Sequence, residues 1–468
     1  MKPKKNEHKY ALALVSITGL GVKTFSYLIP DEMREKIQIG QAVLVPFGRQ
    51  GNINAFIVGF GDYLPEEIKA KKVSKILDEK PLFTLEYLKL LEWVANYYCS
   101  DFVTVLNMAI PLKLIDKNSK TEKSVEFVSF EGAKRRQLEI LELLKNQGKM
   151  SLIDFEKLAK TTRASINKLE ALSCVKISDE EIYRNPLEIF KDCKKEDLHE
   201  LSKEQEKVYN AIREIEGWRD RGIANSSSPT SIHPTFQPSL IHGVTASGKT
   251  EVYFKLINDT IKEGKNVLFL VPEIALASQL TKRLACKFGT SDVAIWHSSI
   301  SEGERFDVWQ KLYKDEIKIL AGARSAVFAP LKNIGLIVID EEHENAYKQT
   351  TPTPRYDART VAQKLAQFHN CPLILGSATP DVTTYYKAAN SGNLFEMPNR
   401  FNNAQIAKTS VINMQNNSKQ AYRGVISVQL QKAIEETLEK KQQVILLRKI
   451  ILLKTIKYPF RETMFAKV

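Results

Sequence analysis

The sequence lacks any run of roughly eighteen or more uncharged apolar residues, which is the length that a membrane-spanning helix needs. Its start, Met-Lys-Pro-Lys-Lys, leads into polar residues rather than into the apolar segment of a secretory signal. These two absences exclude membrane and secreted classes of protein. A cytoplasmic protein with no membrane partner is therefore expected.

Cysteine is scarce, and no two cysteines have the C-x-x-C spacing of a metal site. The five residues are Cys99, Cys174, Cys193, Cys286 and Cys371. Isolated cysteines of a cytoplasmic protein are expected to stay reduced, either in the core or at the surface. The sequence therefore predicts no zinc site and no disulfide framework.

The charge balance is basic. Lys and Arg number 68 against 55 Asp and Glu, so the net charge is +13 over 468 residues. Such a field favours a polyanionic partner, which includes nucleic acid and other anionic surfaces alike. The chain, with 43% hydrophobic residues, is long enough for several separate hydrophobic cores.

The run from Gly243 to Thr250 fits the phosphate-loop pattern G-x-x-x-x-G-K-[ST] at every fixed position. Its glycines let successive backbone N–H groups point at phosphates, and a helix starting at Lys249 adds its positive end. Lys249 is assigned to the β- and γ-phosphates and Thr250 to Mg²⁺. The predicted nucleotide-binding residues are Gly243, Val244, Thr245, Ala246, Ser247, Gly248, Lys249 and Thr250. A glycine-rich turn without nucleotide remains the alternative.

A second motif, Asp340-Glu-Glu-His343, follows the apolar run 334–339, which is typical of a strand buried on both faces of a parallel sheet. Ligands of such sheets bind at the carboxyl ends of the strands. Asp340 is therefore predicted to hold Mg²⁺ and Glu341 to polarise the attacking water, so that Glu341 and Lys249 are the catalytic candidates. The alternative is a solvated acidic turn.

Together these motifs indicate a helicase. Asp340 to His343 resembles the DExH box of superfamily 2, and Gly376-Ser-Ala-Thr-Pro380 resembles the S-A-T motif that couples hydrolysis to movement between two lobes. The coupling residues by this resemblance are His343, Gly376, Ser377, Ala378 and Thr379. The whole set is similar to the PriA family of bacterial replication-restart helicases, also called primosomal protein N-prime.

A basic and aromatic loop, residues 347–359, lies where that family has an aromatic-rich loop. Tyr347 and Tyr356 are predicted to stack on exposed bases, while Lys348 and Arg355 pair with phosphates. Pro354 stands where the family often has a tryptophan. Arg324, in the strand-end segment 322–325, is assigned to the same DNA-contacting group. An exposed linker with two chance tyrosines is the alternative.

Three segments are predicted along the chain before residue 401. Residues 1–112 alternate apolar residues with turn formers and resemble the family domain that grips the 3′ end of a nascent strand; Ser26 stands where the family commonly has an aspartate. Arg49 and Lys23 are candidate phosphate contacts or ordinary surface cations. Residues 124–186 follow a winged-helix pattern, whose role is either DNA binding or protein docking. Residues 200–400 form one RecA-like parallel-sheet lobe with a disordered insertion over 217–238.

The resemblance implies further roles. In the segment 201–205, which is similar to the helicase glutamine motif, Gln205 would read adenine. The family continues with a second lobe that carries zinc-binding cysteines, whose ligands are absent here. Residues 401–468 are interpreted as the start of that lobe followed by an aberrant basic tail. A frameshift or premature end is expected, with a natural short variant as the alternative.

The predicted fold class is therefore multidomain α/β, with a β-rich DNA-binding domain, a winged helix and one RecA-like lobe. The predicted function is an ATP-dependent 3′-to-5′ DNA helicase of replication restart. ATP and Mg²⁺ are the implied cofactors. The implied partners are branched and single-stranded DNA and, by family, single-strand-binding protein and primosome proteins. The alternative is a DNA-structure-binding fragment with little ATPase and no unwinding.

Overall fold

The computed structural model describes residues 8–15, 17, 23–49, 51–64, 69–77, 81–110, 121–181, 186–190, 192–194, 196–216, 237–272, 279–401, 409–412 and 426–446. The chain divides into two compact units, Met1–Asn399 and Arg400–Val468. The predicted insertion 217–238 lies outside the described residues up to residue 236, and so do most of residues 401–468. No helix in the described parts is long and apolar enough to cross a membrane.

The amino-terminal domain is built on a five-stranded antiparallel sheet, as its alternating pattern predicts. The strands lie in the order β2-β1-β4-β3-β5. Their bounds are β1 Tyr10–Val15, β2 Thr24–Leu28, β3 Ala42–Pro46, β4 Asn52–Gly61 and β5 Lys75–Ile76.

Both faces of this sheet are buried. Side chains alternate along a strand, so Ala55 and Ile57 of β4 enter one core while Phe56 between them enters another. The second core is shared with two helices, α1 (Leu85–Tyr97) and α2 (Phe102–Ala109). The side chains of Thr84 and Asp101 cap their amino-terminal ends.

Helix α1 and the residues just before it also contact segments that lie further along the chain. Tyr87 of α1 donates a hydrogen bond from its hydroxyl to the carbonyl of Phe328 over 2.6 Å. In the other direction, Trp309 Nε1 donates to the carbonyl of Leu82 over 2.8 Å. One hydrophobic core thus runs from the amino-terminal sheet through α1 and α2 into the region after residue 290.

Residues 121–181 have a hydrophobic core of their own, in the segment where a winged helix is predicted over 124–186. Its elements are β6 Thr121–Phe127, α3 Arg135–Gln147, β7 Met150–Ser151, α4 Leu152–Leu158, α5 Arg163–Ala171 and β8 Val175–Glu181. The sequence repeats apolar residues at helical spacing over 134–147, 151–160 and 163–172, and α3, α4 and α5 lie within those ranges. They enclose a core that includes Leu141, Phe155 and Ile166, beside a sheet ordered β7-β6-β8.

The predicted RecA-like sheet is confirmed as seven parallel strands in the order β11-β12-β10-β13-β14-β9-β15. Its strands are β9 Ser239–Gly243, β10 Asn266–Leu270, β11 Val293–Trp296, β12 Ile319–Gly322, β13 Ile334–Ile339, β14 Leu373–Ser377 and β15 Leu394–Met397. The helices are α6 Lys203–Glu216, α7 Lys249–Lys262, α8 Gln279–Phe288, α9 Glu302–Tyr313, α10 Ala358–His369 and α11 Val382–Ser391. In the second unit, α12 spans Val428–Glu439.

The cysteines require a correction. Cys193, in the segment before α6, and Cys286, on α8, form a disulfide. The two residues are 93 positions apart in the chain, so the C-x-x-C spacing rule could not reveal the pair. Within the described residues, Cys99, Cys174 and Cys371 take no part in a disulfide.

The hydrogen bond between Tyr87 and Phe328 allows a stability prediction. Tyr87→Phe removes the hydroxyl and leaves a buried carbonyl without its donor, which costs about 1 to 2 kcal/mol of unfolding free energy. Tyr63→Phe is the matched control, because Tyr63 is 84% exposed. Chemical denaturation of both variants checks this prediction, and equal stability of the two would contradict it.

Candidate active site

The loop between β9 and α7 depends on its glycines. Gly248 has a φ of +85° at the start of α7, and Ala246 has a φ of +64° two residues earlier. A Cβ on Gly248 would lie 2.1 Å from Gln205 Nε2, and one on Gly243 would lie 2.6 Å from Ser247 Oγ. A larger residue at either glycine would therefore displace the loop.

Lys249 is held at the base of this loop. Its ammonium is buried and donates to the carbonyl of Gly243 over 2.8 Å. Ser247 Oγ is buried and has no hydrogen-bond partner among the described residues. A buried cation, an unpaired hydroxyl and the amino-terminal end of a 14-residue helix are features that fit a bound polyphosphate.

Asp340 follows β13 beside this loop. Tyr253, on α7, donates its hydroxyl to Asp340 Oδ1 over 3.2 Å. Burial raises the pKa of Asp340 to about 6, with a further contribution from Glu341, while the Lys249 ammonium acts in the opposite direction. The described residues include no cluster of three or more acidic, histidine or cysteine side chains that could cage a metal alone. Mg²⁺ usually takes one or two carboxylates together with phosphate and water, which Asp340 and Thr250 suit.

The next residues connect the acidic box to the S-A-T motif. Glu341 has a φ of +47°, which is uncommon for a residue with a side chain. Its carboxylate lies 3.6 Å from His343 Nδ1. The same Nδ1 lies 2.7 Å from Ser377 Oγ, and Ser377 Oγ accepts from the Thr379 N–H over 3.0 Å. The structure thus brings the predicted coupling residues together.

Sequence analysis missed Tyr253, which lies between three motifs. A Cβ on Gly376 would lie 1.6 Å from the Tyr253 hydroxyl and 3.3 Å from Asp340 Oδ1. Gly376 therefore leaves the space that the hydroxyl needs to reach Asp340. The available signal was the spacing, because residues four apart on a helix share a face and Tyr253 lies four residues after Lys249.

Glu342 was also missed as a functional candidate. Its side chain is fully buried, and burial raises the pKa of its carboxyl group. The carboxylate accepts from the Asp381 N–H and from Thr384 Oγ1, over 2.7 and 3.2 Å. A buried carboxylate needs such donors. The motif alone does not show which acidic residue is turned inward.

The base-stacking prediction for Tyr347 and Tyr356 is wrong for this structure. The two side chains are only 1% and 2% exposed, so neither ring offers a face to a base. The Tyr347 hydroxyl donates to the backbone carbonyl of Asp340 over 2.6 Å, and Tyr356 packs edge-on against Phe328. Both rings belong to the large hydrophobic core, where other apolar side chains cover them.

The cations of the loop have different environments. Lys348 and Arg355 are exposed and remain candidates for phosphate contact. Arg324 is half-buried and holds the loop by its backbone, donating from Nη1 to the carbonyls of Ala346 and Lys348 over 3.4 and 3.0 Å. A direct contact between Arg324 and DNA stays a prediction. Pro354, in place of the family tryptophan, is buried and its carbonyl accepts from Gln349 Nε2.

Two predicted contacts remain, that of Gln205 with adenine and that of Arg49 with DNA. Gln205 donates from Nε2 to the Ser247 carbonyl over 3.1 Å and accepts from the Ser202 N–H over 2.9 Å. It therefore supports the phosphate loop, and reading of adenine stays a prediction. Arg49 is exposed in the turn between β3 and β4 of the amino-terminal sheet, where its DNA contact is likewise untested.

Two family models match the chain. Residues 14–111 match the 3′ DNA-binding domain described for PriA, and residues 228–388 match the DEAD/DEAH box helicase domain. Both matches lie where the structure has the antiparallel sheet and the parallel-sheet lobe.

Curated relatives extend the match. The replication restart protein PriA of Bacillus subtilis (strain 168) is 30% identical, over 93% of this chain and 62% of that protein. The protein of the same name from Synechocystis is 32% identical, over 90% and 59%. That of Haemophilus influenzae is 32% identical, over 91% and 56%. The chain thus spans 56 to 62% of the length of these relatives.

Solved structures show more distant likeness. RecG bound to a three-way DNA junction is 18% identical, with a TM-score of 0.37 over 54% of this chain and 30% of that one. The Pyrococcus furiosus Hef helicase domain is 15% identical, with a TM-score of 0.31 over 50% and 48%. The similarity to PriA proteins therefore rests on the sequence matches and not on these structures.

The half-buried carboxyl group of Asp340 predicts a stability effect that depends on pH. Its pKa of about 6 lies above the ordinary 3.8, so the folded chain binds this proton more tightly than the unfolded chain. Ionisation of Asp340 therefore destabilises the folded chain increasingly as pH rises from about 4 to about 6, and the destabilisation reaches its full size above pH 6. Asp340→Asn is expected to raise the unfolding free energy at neutral pH by at most about 3 kcal/mol, and by little near pH 4.

Chemical denaturation of ligand-free protein across this pH range checks that prediction. Asp154→Asn is the control for loss of one carboxylate, since Asp154 is exposed on α4. A gain that is equal at all pH values, or equal in both variants, would mean that ionisation of Asp340 is not its cause.

Gly376 gives a steric prediction. Gly376→Ala places a methyl group on the Tyr253 hydroxyl and is expected to cost about 1 to 3 kcal/mol of unfolding free energy. Adding Tyr253→Phe to it should recover part of this loss. Gly61→Ala is the control, because a Cβ there meets nothing within 4 Å. Thermal unfolding of the set measures the effect, and additive losses in the double variant would contradict the clash.

Proposed function

The chain belongs to the family of the replication restart protein PriA, and on that premise we propose that it is an ATP-dependent DNA helicase. The observation that carries the proposal is the meeting of three motifs at one sheet edge. β9, β14 and β13 are neighbours, so the phosphate loop, the S-A-T motif and the acidic box leave the sheet side by side. Parallel α/β sheets bind ligands at this edge.

The proposed division of labour follows from the side chains. The backbone N–H groups of residues 243–250 bind the phosphates, and Lys249 neutralises charge on the β- and γ-phosphates. Thr250 and Asp340 would hold Mg²⁺, which supplies Lewis-acid stabilisation of the phosphoryl oxygens when bound. Glu341 orients and deprotonates the attacking water.

Hydrolysis has to be linked to DNA movement. His343 contacts both Glu341 and Ser377, so a change at the water-activating carboxylate displaces the S-A-T segment. Exposed cations are proposed to hold the DNA backbone: Lys348 and Arg355 on the loop and Arg49 on the amino-terminal sheet. Phosphate contacts of this kind position a strand without reading its sequence.

The proposed substrate is a stalled or branched replication fork with a 3′ end, and the proposed polarity is 3′ to 5′. The match of residues 14–111 to a 3′ DNA-binding domain supports the first point. Single-strand-binding protein and primosome proteins are the proposed protein partners, and the cytoplasm is the proposed location. The net charge of +13 supports a nucleic-acid substrate.

Lys249 tests the nucleotide site. Lys249→Ala is expected to abolish measurable binding of Mg·ATP and hydrolysis stimulated by forked DNA, because it removes the buried ammonium at the phosphate loop. Lys262→Ala, at the exposed end of the same helix, should bind and hydrolyse as the unchanged chain does. Nucleotide titration and ATPase assays decide it; equal affinity of the two variants would reject the assignment.

A further inference from the structure

Glu342 is anchored on every polar group that it has. Its N–H donates to the Gly376 carbonyl over 2.9 Å, and its carbonyl accepts from Arg359 Nη1 over 2.6 Å. Its carboxylate accepts from Asp381 and Thr384 at the start of α11. Because Glu342 lies between Glu341 and His343 in the chain, any shift of its peptide moves the groups that act on nucleotide.

Arg359 extends this anchor to the loop. Its Nε and Nη2 donate to Asp357 Oδ1 and Oδ2 over 2.9 and 2.7 Å, so the pair is bidentate. The remaining nitrogen, Nη1, is the one that reaches Glu342. The Arg359 side chain is 18% exposed and that of Glu342 is fully buried, which strengthens these interactions relative to surface pairs.

Asp357 in turn is tied to the amino-terminal helices. The Tyr98 hydroxyl, just after α1, accepts from the Asp357 N–H over 3.0 Å and lies 3.3 Å from its carbonyl oxygen. The backbones of Asp357 and Lys348 also form an isolated antiparallel β-bridge across the loop, and the Lys348 side chain is exposed. The acidic box, the loop and α1 are thus joined by one series of hydrogen bonds.

Members of this series also border open space. Glu342, Asp357 and Arg359 line a cavity of about 440 Å³ with Asp381 and Thr384. A guanidinium fork that grips one carboxylate and one carbonyl has few alternative geometries. A movement of Asp357 would therefore alter the hydrogen bond between Arg359 and Glu342, because the guanidinium cannot absorb it by changing its own geometry.

We propose that Glu342, Arg359 and Asp357 are positioning residues that couple DNA binding at Lys348 to the geometry of the acidic box. None of the three needs to touch DNA or nucleotide. The proposal rests on the proposed function, because it assigns the route by which DNA stimulates hydrolysis. It also predicts that substitutions in this network reduce the stimulation of hydrolysis by DNA while the chain still binds ATP and forked DNA.

The variants are Arg359→Lys, which keeps the charge but loses the fork, and Tyr98→Phe, which loses only the hydroxyl. Arg213→Lys, in a half-exposed pair with Glu263, is the matched control. In Arg359→Lys the ratio of fork-stimulated to basal ATPase should fall about 3- to 10-fold, with a smaller fall in Tyr98→Phe. ATP and fork affinities should change less than about 2-fold.

A ratio equal to that of Arg213→Lys would overturn the proposal. So would a variant whose basal and stimulated rates fall by the same factor together with its melting temperature, because that result indicates structural support alone. Rescue is part of the test: Glu342→Gln, which keeps one amide oxygen acceptor, should retain more of the ratio than Glu342→Ala.

A second measurement does not depend on activity. Amide hydrogen exchange at residues 345–357 should be faster in Arg359→Lys than in the unchanged chain and in Arg213→Lys. Equal exchange in all three would reject the network as a holder of the loop. If the unchanged chain shows no fork-stimulated ATPase, the proposed function fails, and the exchange comparison still decides the network.

Discussion

The adjacency of β9, β14 and β13 is the constraint on which the rest of the lobe depends. Their parallel register pairs Ile337 with Leu373 and Gly376 with Ile241, so three loops distant in sequence leave the sheet at one level. Tyr253 then fills the space between them from the phosphate-loop helix. Each motif is thereby held by contacts with the other two rather than by its own loop alone.

This arrangement keeps Asp340 at an energetic cost. A carboxylate in a partly desolvated position beside a second carboxylate destabilises the ligand-free fold. Lys249 offsets part of that cost, and a bound cation would offset more. Stability and function are therefore opposed at this residue, as is common where charges are gathered to meet a charged ligand. The ligand-free fold therefore carries a free-energy cost of ionising Asp340 that a bound cation would reduce.

The sequence predicted the parts whose chemistry requires fixed spacing. The phosphate loop, the acidic box, the parallel sheet and the helices of residues 121–181 all follow from periodicity or motif. It did not predict which side chains turn inward. Tyr347 and Tyr356 have the composition of a stacking loop, yet their burial is decided by packing against Phe328 and Asp340. Tyr253 and Glu342 were missed for the same reason, since their partners lie far away in sequence.

The core shared by the amino-terminal sheet, α1 and the lobe has a consequence for how the protein can be taken apart. The conserved-domain match ends at residue 111, but the cover for Tyr87 and Leu82 comes from Phe328 and Trp309. A fragment that ends at residue 111 would expose apolar residues of α1 and α2 to water and would leave the Tyr87 hydroxyl and the Leu82 carbonyl without these partners. The segment that the family model matches is therefore smaller than the segment that shares one hydrophobic core, and a fragment designed on the match alone would expose apolar surface that favours aggregation.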